Sequence, residues 1–458
     1  MPESLEGRVQ SIISTKGSLM ISSAVGAHPS LQKMSYVVKD GSYLMLPFMT
    51  TKTVNQISFN PKVSILIEKD NENLKLEGRG KIYSVSKMEE WKKQMIQEYP
   101  STEKDFEHPL ACFIEVKPLN AEIISNDEVV IDETVEREML EYPTNKLSTF
   151  KTMKMSFMLQ LKKWVRIIRV PFWTATIIPV LLGLSIVYAN DYSINWFTFA
   201  LTMCFSVMAH SAANILNDYF DHIYKGDEKN QYWSPLNGGS RMIQLGIVTP
   251  NKTLLSALFF YFGSIGIFSY LYSLNQDPVL LTLGIAGYIT VLFYNQVIKI
   301  GLGELFIFLG FGPIMILTAY YIQTSSMSAD VIFISFPIGI LITLVLFING
   351  FQDAEADNLV NKRTLVVMLK SKKRAAAVYQ ISLVVVYAMV IIGIIIGYLP
   401  LYSLIAFLPI ILAIKATSTL RKHYNSIHQL YPANGMTIIL HLTTGLLLSL
   451  AFVLDKLV

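Results

Sequence analysis

The sequence contains little cysteine, little charge and no secretion signal. Its two cysteines, Cys112 and Cys204, lie far apart among 458 residues, which argues against a disulfide framework and against a cysteine metal site. Charged residues make up 16% of the chain and the formal net charge is +4, too little to indicate nucleic-acid binding. The first residues, MPESLEGRVQSI, lack the basic-then-apolar pattern of a signal peptide, so we expect the N-terminal part to remain in the cytoplasm.

Hydrophobic residues are abundant and unevenly distributed. They make up 52% of the chain, which is typical of a membrane protein. Residues 1–150 read as mixed strand and helix, whereas the chain after Lys162 is a series of apolar runs of roughly 17 to 23 residues, long enough to cross a bilayer core. The seventh and eighth runs are separated only near Pro400, so we expect eight or nine spans. The candidate spans lie near 170–189, 195–216, 253–274, 279–295, 301–322, 331–349, 376–398, 400–417 and 436–455.

Lysine and arginine occur in alternate loops between these runs. They precede the first run and follow the second, sixth and eighth, whereas the loops at 190–193, 275–277 and 323–330 contain neither residue. Because cytoplasmic loops carry the excess of Lys and Arg, nine spans would place the N-terminus inside and the C-terminus outside. We therefore expect a multi-pass protein of the inner (cytoplasmic) membrane.

Two aspartate motifs lie at the cytoplasmic ends of the second and sixth apolar runs. The first places Asn214, Asp218 and Asp221 at i, i+4 and i+7, and the second places Asn349, Asp353 and Asp357 at i, i+4 and i+8. Each set therefore shares one helical face. Two facing carboxylate pairs suit Mg²⁺ bound to a diphosphate, since this ion takes a few carboxylates plus substrate phosphates. The alternative, solvated aspartates at helix ends, is less favoured for two motifs because carboxylates at a membrane are costly without a partner.

The motifs suggest roles for individual residues. The candidate catalytic and metal-binding residues are Asp218, Asp221, Asp353 and Asp357, with Asp227 as a further metal ligand. The candidate diphosphate-binding residues are Asn214, Asn217, Arg241, Lys362 and Arg363, since basic side chains bind phosphate oxygens; topology alone would also explain the basic ones. His210 and His222 are more typical of hydrogen-bonded helix residues. Four aromatic residues near the motifs could shield a cation or simply pack: Tyr219, Phe220, Phe293 and Tyr294.

The C-terminal two-thirds resemble the UbiA superfamily of intramembrane prenyltransferases. The resemblance covers about residues 165–455 and is carried by NILNDYFDHIYKGD from residue 214, NGGSR from 237, GLGEL from 301 and the D-x-x-x-D…KRTL pattern from 353. It is closest to the branch that prenylates 1,4-dihydroxy-2-naphthoate, although Asn361 stands where that branch usually has glycine. The resemblance implies Mg²⁺-dependent transfer from a polyprenyl diphosphate to an aromatic acceptor, a naphthoate or a related hydroquinone. The alternatives are prenyl or phytyl transfer to homogentisate, a haem or a glycerol phosphate.

Residues 12–125 contain short alternating strands punctuated by turn residues, which predict a small β-barrel with helices. This region resembles the pyridoxamine-phosphate-oxidase-like split barrel that binds FMN, most closely in TTKTVNQISFNP from residue 50. The resemblance implies that Thr50, Thr51 and Lys52 hold the flavin phosphate, and that a homodimer forms through the barrel. Barrels of this type also bind haem or a deazaflavin, or no cofactor. A membrane-anchored flavin or haem sensor is therefore the alternative from another functional class.

The expected fold is multidomain. We predict an N-terminal split β-barrel of the α+β class at 1–125, a linker at 126–150, and an all-α transmembrane bundle of about nine helices at 151–458.

Overall fold

The structure is a computed structural model that divides into two compact units, one of residues 1–163 with 244–248 and one of 164–243 with 249–458. The residues that it describes are 18–25, 28–39, 41–49, 51–69, 72–108, 110–125, 128–131, 161, 163–230, 234, 236–426 and 428–458. The predicted linker therefore lies outside the described residues, except for 128–131.

The first unit is a seven-stranded antiparallel sheet in the order β3-β2-β1-β4-β5-β6-β7, and a β3–β6 pairing closes it. This confirms the predicted barrel. The four residues of the predicted linker that the structure describes form β7, a strand that the sequence did not predict. The strands are β1 Ser18–Val25, β2 His28–Lys39, β3 Ser42–Met45, β4 Lys62–Lys69, β5 Glu72–Ser84, β6 Cys112–Ser125 and β7 Glu128–Ile131.

Alternation of side chains builds the barrel core. In β1, Leu19 and Ile21 point inward and are fully buried, as the two-residue period of a strand requires. Helix α1, Lys52–Phe59, begins at Thr51, whose hydroxyl accepts a hydrogen bond from the backbone of Val54. Two further helices, α2 Glu89–Glu98 and α3 Glu103–Phe106, follow β5.

The second unit is helical, and the described residues contain nine helices long and apolar enough to cross a membrane. This confirms the upper of the two predicted counts. Short 3₁₀ or π turns extend or join several of the helices. The helices are α4 Thr174–Ala189, α5 Trp196–Ile223, α6 Gly226–Lys229, α7 Pro250–Asn275, α8 Pro278–Val297, α9 Gly303–Leu309, α10 Met315–Thr324, α11 Ala329–Leu359, α12 Leu365–Met368, α13 Lys372–Ile395, α14 Ile410–His423 and α15 Tyr431–Leu457.

Polar caps begin several helices at the membrane edges. Asn195 accepts hydrogen bonds from the backbone of Phe197 and Thr198 at the start of α5, both at 3.1 Å. Asp277 does the same for Val279 at the start of α8, with Pro278 in the first helical position. These caps satisfy backbone N–H groups that a helix start leaves unpaired, which fixes where each span begins.

Helices α5 and α11 carry the aspartate motifs because they continue past their apolar runs. The run in α5 ends near 216, yet the helix continues to Ile223, and α11 continues ten residues beyond its apolar run, from 349 to Leu359. Helix α11 is the centre of the largest core cluster, where Ile334, Ile338 and Phe351 are fully buried. The end of α11 that carries the second motif therefore extends from a helix whose membrane-spanning part is buried in the core.

Candidate active site

Asp218 of the first motif is buried and paired with a charge. It is 5% exposed, and its Oδ1 accepts hydrogen bonds from the guanidinium of Arg169 and, at 3.2 Å, from the backbone N–H of Ser240. Arg169 also donates to Asn217 at 3.4 Å, and Asn217 donates to Asn295 of α8 at 3.1 Å. The first motif is thus tied to the segment before α4 and to the helix α8.

Arg169 keeps its positive charge in this buried position. Burial lowers the pKa of Arg169, but the Asp218 carboxylate opposes the effect and the net shift is upward. Its backbone is left-handed, with φ of 51°, at the point where the chain turns into the first span. From the sequence, Arg169 was explained only by the orientation of the chain in the membrane, because a basic residue before a span carries no sign of a role in a binding site.

Asp221 connects the two motifs directly. It is 8% exposed, and its Oδ1 accepts a hydrogen bond from Nζ of Lys362, which lies on the loop after α11. The backbone N–H of Lys362 donates to the carbonyl of Asp357 at 2.9 Å. Burial lowers the pKa of Lys362, but Asp221 and Asp357 outweigh it and hold the pKa above its usual value. One lysine therefore faces a carboxylate from each motif.

Asp353 of the second motif is held by amides. Its Oδ1 accepts hydrogen bonds from Nδ2 of Asn230 at 2.7 Å and from Nδ2 of Asn237 at 3.0 Å. Both donors belong to the loop that follows the first motif. That loop therefore spans the ends of α5 and α11, and it brings the two motifs into one site.

Asp227 lies on the same loop and faces Arg241. The Nε of Arg241 is 3.6 Å from Oδ1 of Asp227. Burial, together with the carboxylates of Asp221 and Asp218, raises the pKa of Asp227 to about 7 against the lowering effect of Arg241. Its Oδ2 is buried and has no hydrogen-bond partner among the described residues, as expected of an oxygen available to a ligand.

Gly239 lets this loop approach the carboxylates closely. Its φ is +73°, and a Cβ there would lie 3.0 Å from Oδ1 of Asp218 and 3.4 Å from Oδ2 of Asp227. A side chain would therefore be strained and would crowd both carboxylates. This explains why the NGGSR segment has a glycine at position 239. From the sequence, that segment could be interpreted only through its resemblance to the family.

A buried amide network supports the second motif from behind. Asn237 donates to Gln352 at 3.0 Å, and Asn434 of α15 donates to Asn349 at 2.5 Å and to Gln352 at 3.3 Å. The last helix is thus connected to the loop that holds Asp353. Asn434 was not predicted, because it lies 77 residues after Asp357 and matches no motif.

Glu304 fixes the position of the Lys362 loop. Its Oε1 accepts a hydrogen bond from the backbone N–H of Leu365 at 2.7 Å, and the backbone N–H of Arg363 donates to the carbonyl of Ile298 at 3.0 Å. A buried carboxylate at a membrane end is itself a signal of function. From the sequence, Glu304 was noted only as part of the GLGEL segment and was not predicted to have a role in the site.

The other predicted residues differ in whether they line a cavity beside the motifs. Asn214 and Tyr294 line a cavity beside the motifs, whereas the side chain of Arg363 and that of Phe293 are exposed. His210 is buried and shares a 2.8 Å hydrogen bond with Thr176, as expected of a hydrogen-bonded helix residue. Tyr219, Phe220 and His222 do not line that cavity.

The main cavity has a volume of about 210 Å³ and extends from the motifs into the bundle. Its polar end contains Arg169, Asn214 and Asn217, and its remaining walls are mostly apolar side chains of α5, α8, α9 and α10. The Nδ2 of Asn214 is buried without a hydrogen-bond partner among the described residues. An apolar pocket with a charged end suits an amphiphile that has one polar terminus.

Within the described part of the chain, no group of three or more His, Cys, Asp or Glu side chains is arranged as a metal site. The buried aspartates offer oxygen donors of the kind that hard cations prefer.

In the first unit, Thr51 caps α1 and the Nζ of Lys52 donates to the carbonyl of Pro29 at 3.2 Å. Thr50 lies outside the described residues. A cavity of about 400 Å³ borders Pro29 and is lined by polar residues such as Ser23, Asn60 and Asn120, but not by Thr51 or Lys52.

Comparison with known proteins gives a family match in the second unit. Residues 176–439 match the model described as the UbiA prenyltransferase family. The chain is 23% identical to the 2-carboxy-1,4-naphthoquinone phytyltransferase of a Synechocystis strain, over 64% of this chain and 93% of the relative. It is 26% identical to the 1,4-dihydroxy-2-naphthoate octaprenyltransferase of Haemophilus influenzae, over 47% and 71%.

Two solved structures match different units. A digeranylgeranylglyceryl phosphate synthase covers 64% of this chain and 98% of its own, with 17% identity and a TM-score of 0.46. A Clostridium acetobutylicum protein related to general stress protein 26, of the pyridoxinephosphate oxidase family, covers 30% and 99%, with 15% identity and a TM-score of 0.25.

Proposed function

Because the chain belongs to the UbiA prenyltransferase family, we propose that it transfers a polyprenyl group from a prenyl diphosphate to 1,4-dihydroxy-2-naphthoate or a related hydroquinone, with Mg²⁺ at its aspartate motifs. The chain is a multi-pass membrane prenyltransferase. The observation that carries the proposal is the Asp221–Lys362 pair, which joins the ends of α5 and α11 beside an apolar cavity.

The buried charges divide into diphosphate-binding and metal-holding groups. Arg169 is at the polar end of the cavity, and Lys362 and Arg241 pair with Asp221 and Asp227 of the first motif and its loop, so these three cations would bind phosphate oxygens. Arg363 is exposed, so we expect it to contribute less than Lys362. Asn217 would orient the diphosphate, as would Asn214 with its unpartnered Nδ2.

The acidic residues fit Mg²⁺ by their chemistry and burial. Asp218, Asp221, Asp353 and Asp357 would hold the metal, and the unpartnered Oδ2 of Asp227 makes it a further ligand. A bound Mg²⁺ supplies positive charge that stabilises the departing diphosphate. Four of these aspartates contact a cation or an amide in the structure, and we expect those partners to turn toward the phosphate when it binds; the four are Asp218, Asp221, Asp227 and Asp353.

The reaction is an electrophilic aromatic substitution. The bond between the allylic carbon and the diphosphate oxygen breaks, and its electron pair leaves with the diphosphate. A ring carbon of the acceptor then bonds to the allylic carbon and releases the group it carried, a proton or a carboxylate as CO₂. The apolar walls of the cavity exclude water, which would otherwise capture the allylic cation.

The names of the relatives support a naphthalene acceptor. Both curated relatives act, by name, on a naphthoquinone or a naphthoate, and they differ in the group transferred, phytyl or octaprenyl. We therefore assign a naphthoate-type acceptor and leave homogentisate, haem and glycerol phosphate as the alternatives. An anchor without catalysis has no support, since the family is one of transferases.

The proposal is tested by product analysis with purified full-length protein in lipid nanodiscs. Geranyl, farnesyl and geranylgeranyl diphosphate are each offered with Mg²⁺ to 1,4-dihydroxy-2-naphthoate, homogentisate and glycerol 1-phosphate, and products are identified by mass spectrometry. We expect prenylated naphthalene products that disappear when EDTA is added. Products formed only from another acceptor would replace the naphthoate assignment.

For the first unit we propose a flavin-type role that keeps the acceptor reduced, since only the electron-rich hydroquinone is a good nucleophile. The support is the barrel fold, together with Thr51 and Lys52 at the start of α1, where helix N–H groups favour phosphate. Thr50 would complete this set. A barrel dimer that shares the cofactor belongs to the same proposal.

This role is tested by purifying the protein with and without FMN and starting from the quinone form of the acceptor. We expect flavin-loaded protein to convert the quinone when a reductant is supplied, and Lys52→Ala to lower FMN retention. Flavin-free protein that prenylates the quinone at the same rate would contradict it. Size-exclusion chromatography with light scattering tests the dimer.

The proposed topology places the first unit in the cytoplasm and the C-terminus outside. The support is the alternation of Lys and Arg between loops together with nine spans. A reporter that is active only outside the cytoplasm, fused after Val458, should be active, whereas the same reporter fused after Arg421 should be inactive.

A further inference from the structure

A second cavity lies on the outer side of the main one, between α7 and α8. This outer groove, defined by Tyr261, Phe268, Ile285, Tyr288 and Ile289, has a volume of about 300 Å³. Its lining is almost entirely aromatic and aliphatic. Ile285 and Ile289 are 52% and 44% exposed on a spanning helix, so the groove faces the hydrocarbon of the bilayer.

One layer of aromatic rings separates the outer groove from the main cavity. Tyr288 lines both spaces, and its ring centroid is 5.9 Å from that of Phe268 and 5.6 Å from that of Tyr261. On the main-cavity side, Phe205 lies 5.6 Å from Phe268. We name Phe268 and Tyr288 the aromatic partition.

A glycine makes this partition thin. Gly284 lines the main cavity, and a Cβ at this position would overlap the ring of Phe268. The ring therefore packs directly against the backbone of α8 at this glycine. At this point only the Phe268 ring and the backbone of Gly284 separate the two spaces.

The main cavity extends from its polar end to the aromatic partition. Its polar end is at Asn217, and Phe205 at its far end lies twelve residues earlier on the same helix, roughly 18 Å away at the helical rise. A chain whose diphosphate is held at the polar end must run toward Phe205, Phe268 and Tyr288. The next apolar space beyond these rings is the outer groove.

We propose that the outer groove binds the distal isoprene units of a long polyprenyl donor, and that the aromatic partition sets the chain length the enzyme prefers. The proposal rests on the proposed function, since it needs a prenyl diphosphate held by its headgroup at the motifs. We assign the donor chain and not an annular lipid as the occupant, because the groove lies beyond the far end of the main cavity and shares Tyr288 with it.

The test compares donors of different length in the full-length protein. The kcat/KM of an all-trans octaprenyl diphosphate is divided by that of geranyl diphosphate, with 1,4-dihydroxy-2-naphthoate as acceptor. This ratio does not depend on the fraction of protein that is folded. Ile285→Trp, which fills the groove without lining the main cavity, should lower the ratio at least fivefold.

Opening the partition should have the opposite effect. Phe268→Ala and Tyr288→Ala should each raise the ratio several-fold because they join the two spaces. Leu255→Trp is the matched control, since Leu255 is 66% exposed on α7 and lines neither space; it should leave the ratio unchanged.

The outcomes separate this proposal from the proposed function. Failure of the wild-type protein to transfer even the geranyl group would refute the proposed function. Normal geranyl transfer with an unchanged ratio in Ile285→Trp and in both alanine variants would overturn the groove proposal and would assign the groove to lipid or to a second copy of the chain.

Discussion

The two aspartate motifs have similar spacing but different surroundings. On α5, Asp218 and Asp221 each meet a largely buried cation: Arg169, 18% exposed, and Lys362, 11% exposed. On α11, Asp353 is held by the amides of Asn230 and Asn237. The α5 half is therefore a set of ion pairs, whereas Asp353 of the α11 half is held by hydrogen bonds from amides.

This difference has an energetic consequence. Removing one partner of a buried ion pair leaves a buried charge uncompensated, which costs about 3–5 kcal/mol. Removing one partner of a hydrogen bond between a carboxylate and amides leaves a less costly defect, about 1–3 kcal/mol. The two motifs should therefore contribute equally to the chemistry but unequally to folding stability.

The largest effect expected is on turnover. Here we expect the two motifs to behave alike. Asp218→Ala and Asp353→Ala should each lower kcat at least about 100-fold, because each removes electrostatic support for the leaving group. Radiolabelled farnesyl diphosphate and a saturating naphthoate acceptor provide the assay. The control is Asp330→Ala, since Asp330 lies at the opposite end of α11 and bonds to Ser328 and Val331. Near-normal turnover in either motif variant would contradict a joint site.

The second effect is on stability, where the motifs should differ. Asp218→Asn should lower the free energy of unfolding by about 3–5 kcal/mol, because Arg169 is left charged and buried. Asp353→Asn should cost about 1 kcal/mol, because the amide oxygen still accepts from Asn230 and Asn237. Reversible chemical unfolding in detergent measures both.

Adding Arg169→Met to Asp218→Asn should recover part of the lost stability, since the uncompensated charge is then gone. Equal losses in the two single asparagine variants would show that the surroundings of the motifs are equivalent in energy.

A smaller effect is expected along the amide network. Asn237→Ala removes hydrogen bonds to both Asp353 and Gln352 and should lower kcat/KM about tenfold, since about 1.4 kcal/mol corresponds to that factor. Asn434→Ala removes support for Asn349 and Gln352 but touches no aspartate, so its effect should be smaller. A larger loss of kcat/KM in Asn434→Ala than in Asn237→Ala would place the functional contact on α15.

The smallest effect concerns the position of Lys362. Glu304→Ala removes the acceptor for the backbone N–H of Leu365 and should raise the KM for the prenyl diphosphate about threefold with little change in kcat. Glu304→Gln keeps an oxygen acceptor and should restore the KM. A pure loss of folded protein would lower the apparent kcat and leave the KM unchanged.

Much of the α5 half was predictable from the sequence, because its signals are local. Helical spacing placed Asp218 and Asp221 on one face, and the apolar runs predicted eight or nine spans, of which the structure has nine among the described residues. Arg169 was missed because a basic residue before a span is expected from topology alone. Only the fold shows that it turns back onto Asp218.

The α11 half was less predictable because its partners are remote. Asn230 and Asn237 lie more than 100 residues before Asp353, and Asn434 is on the last helix. Amides in loops give no periodic pattern, so their convergence is a property of tertiary packing. Lys362 was predicted and does contact the site, whereas its neighbour Arg363 is exposed; a one-residue difference decides which side chain turns inward.

The central claim is that both motifs bind one diphosphate. The most direct test is calorimetric titration of wild-type protein, Asp218→Asn and Asp353→Asn with a non-reactive thiolo-diphosphate analogue of the farnesyl donor, with and without Mg²⁺. The account predicts binding that requires Mg²⁺ in the wild type and is lost in each variant. Wild-type affinity in either variant would contradict a diphosphate held between the two helices.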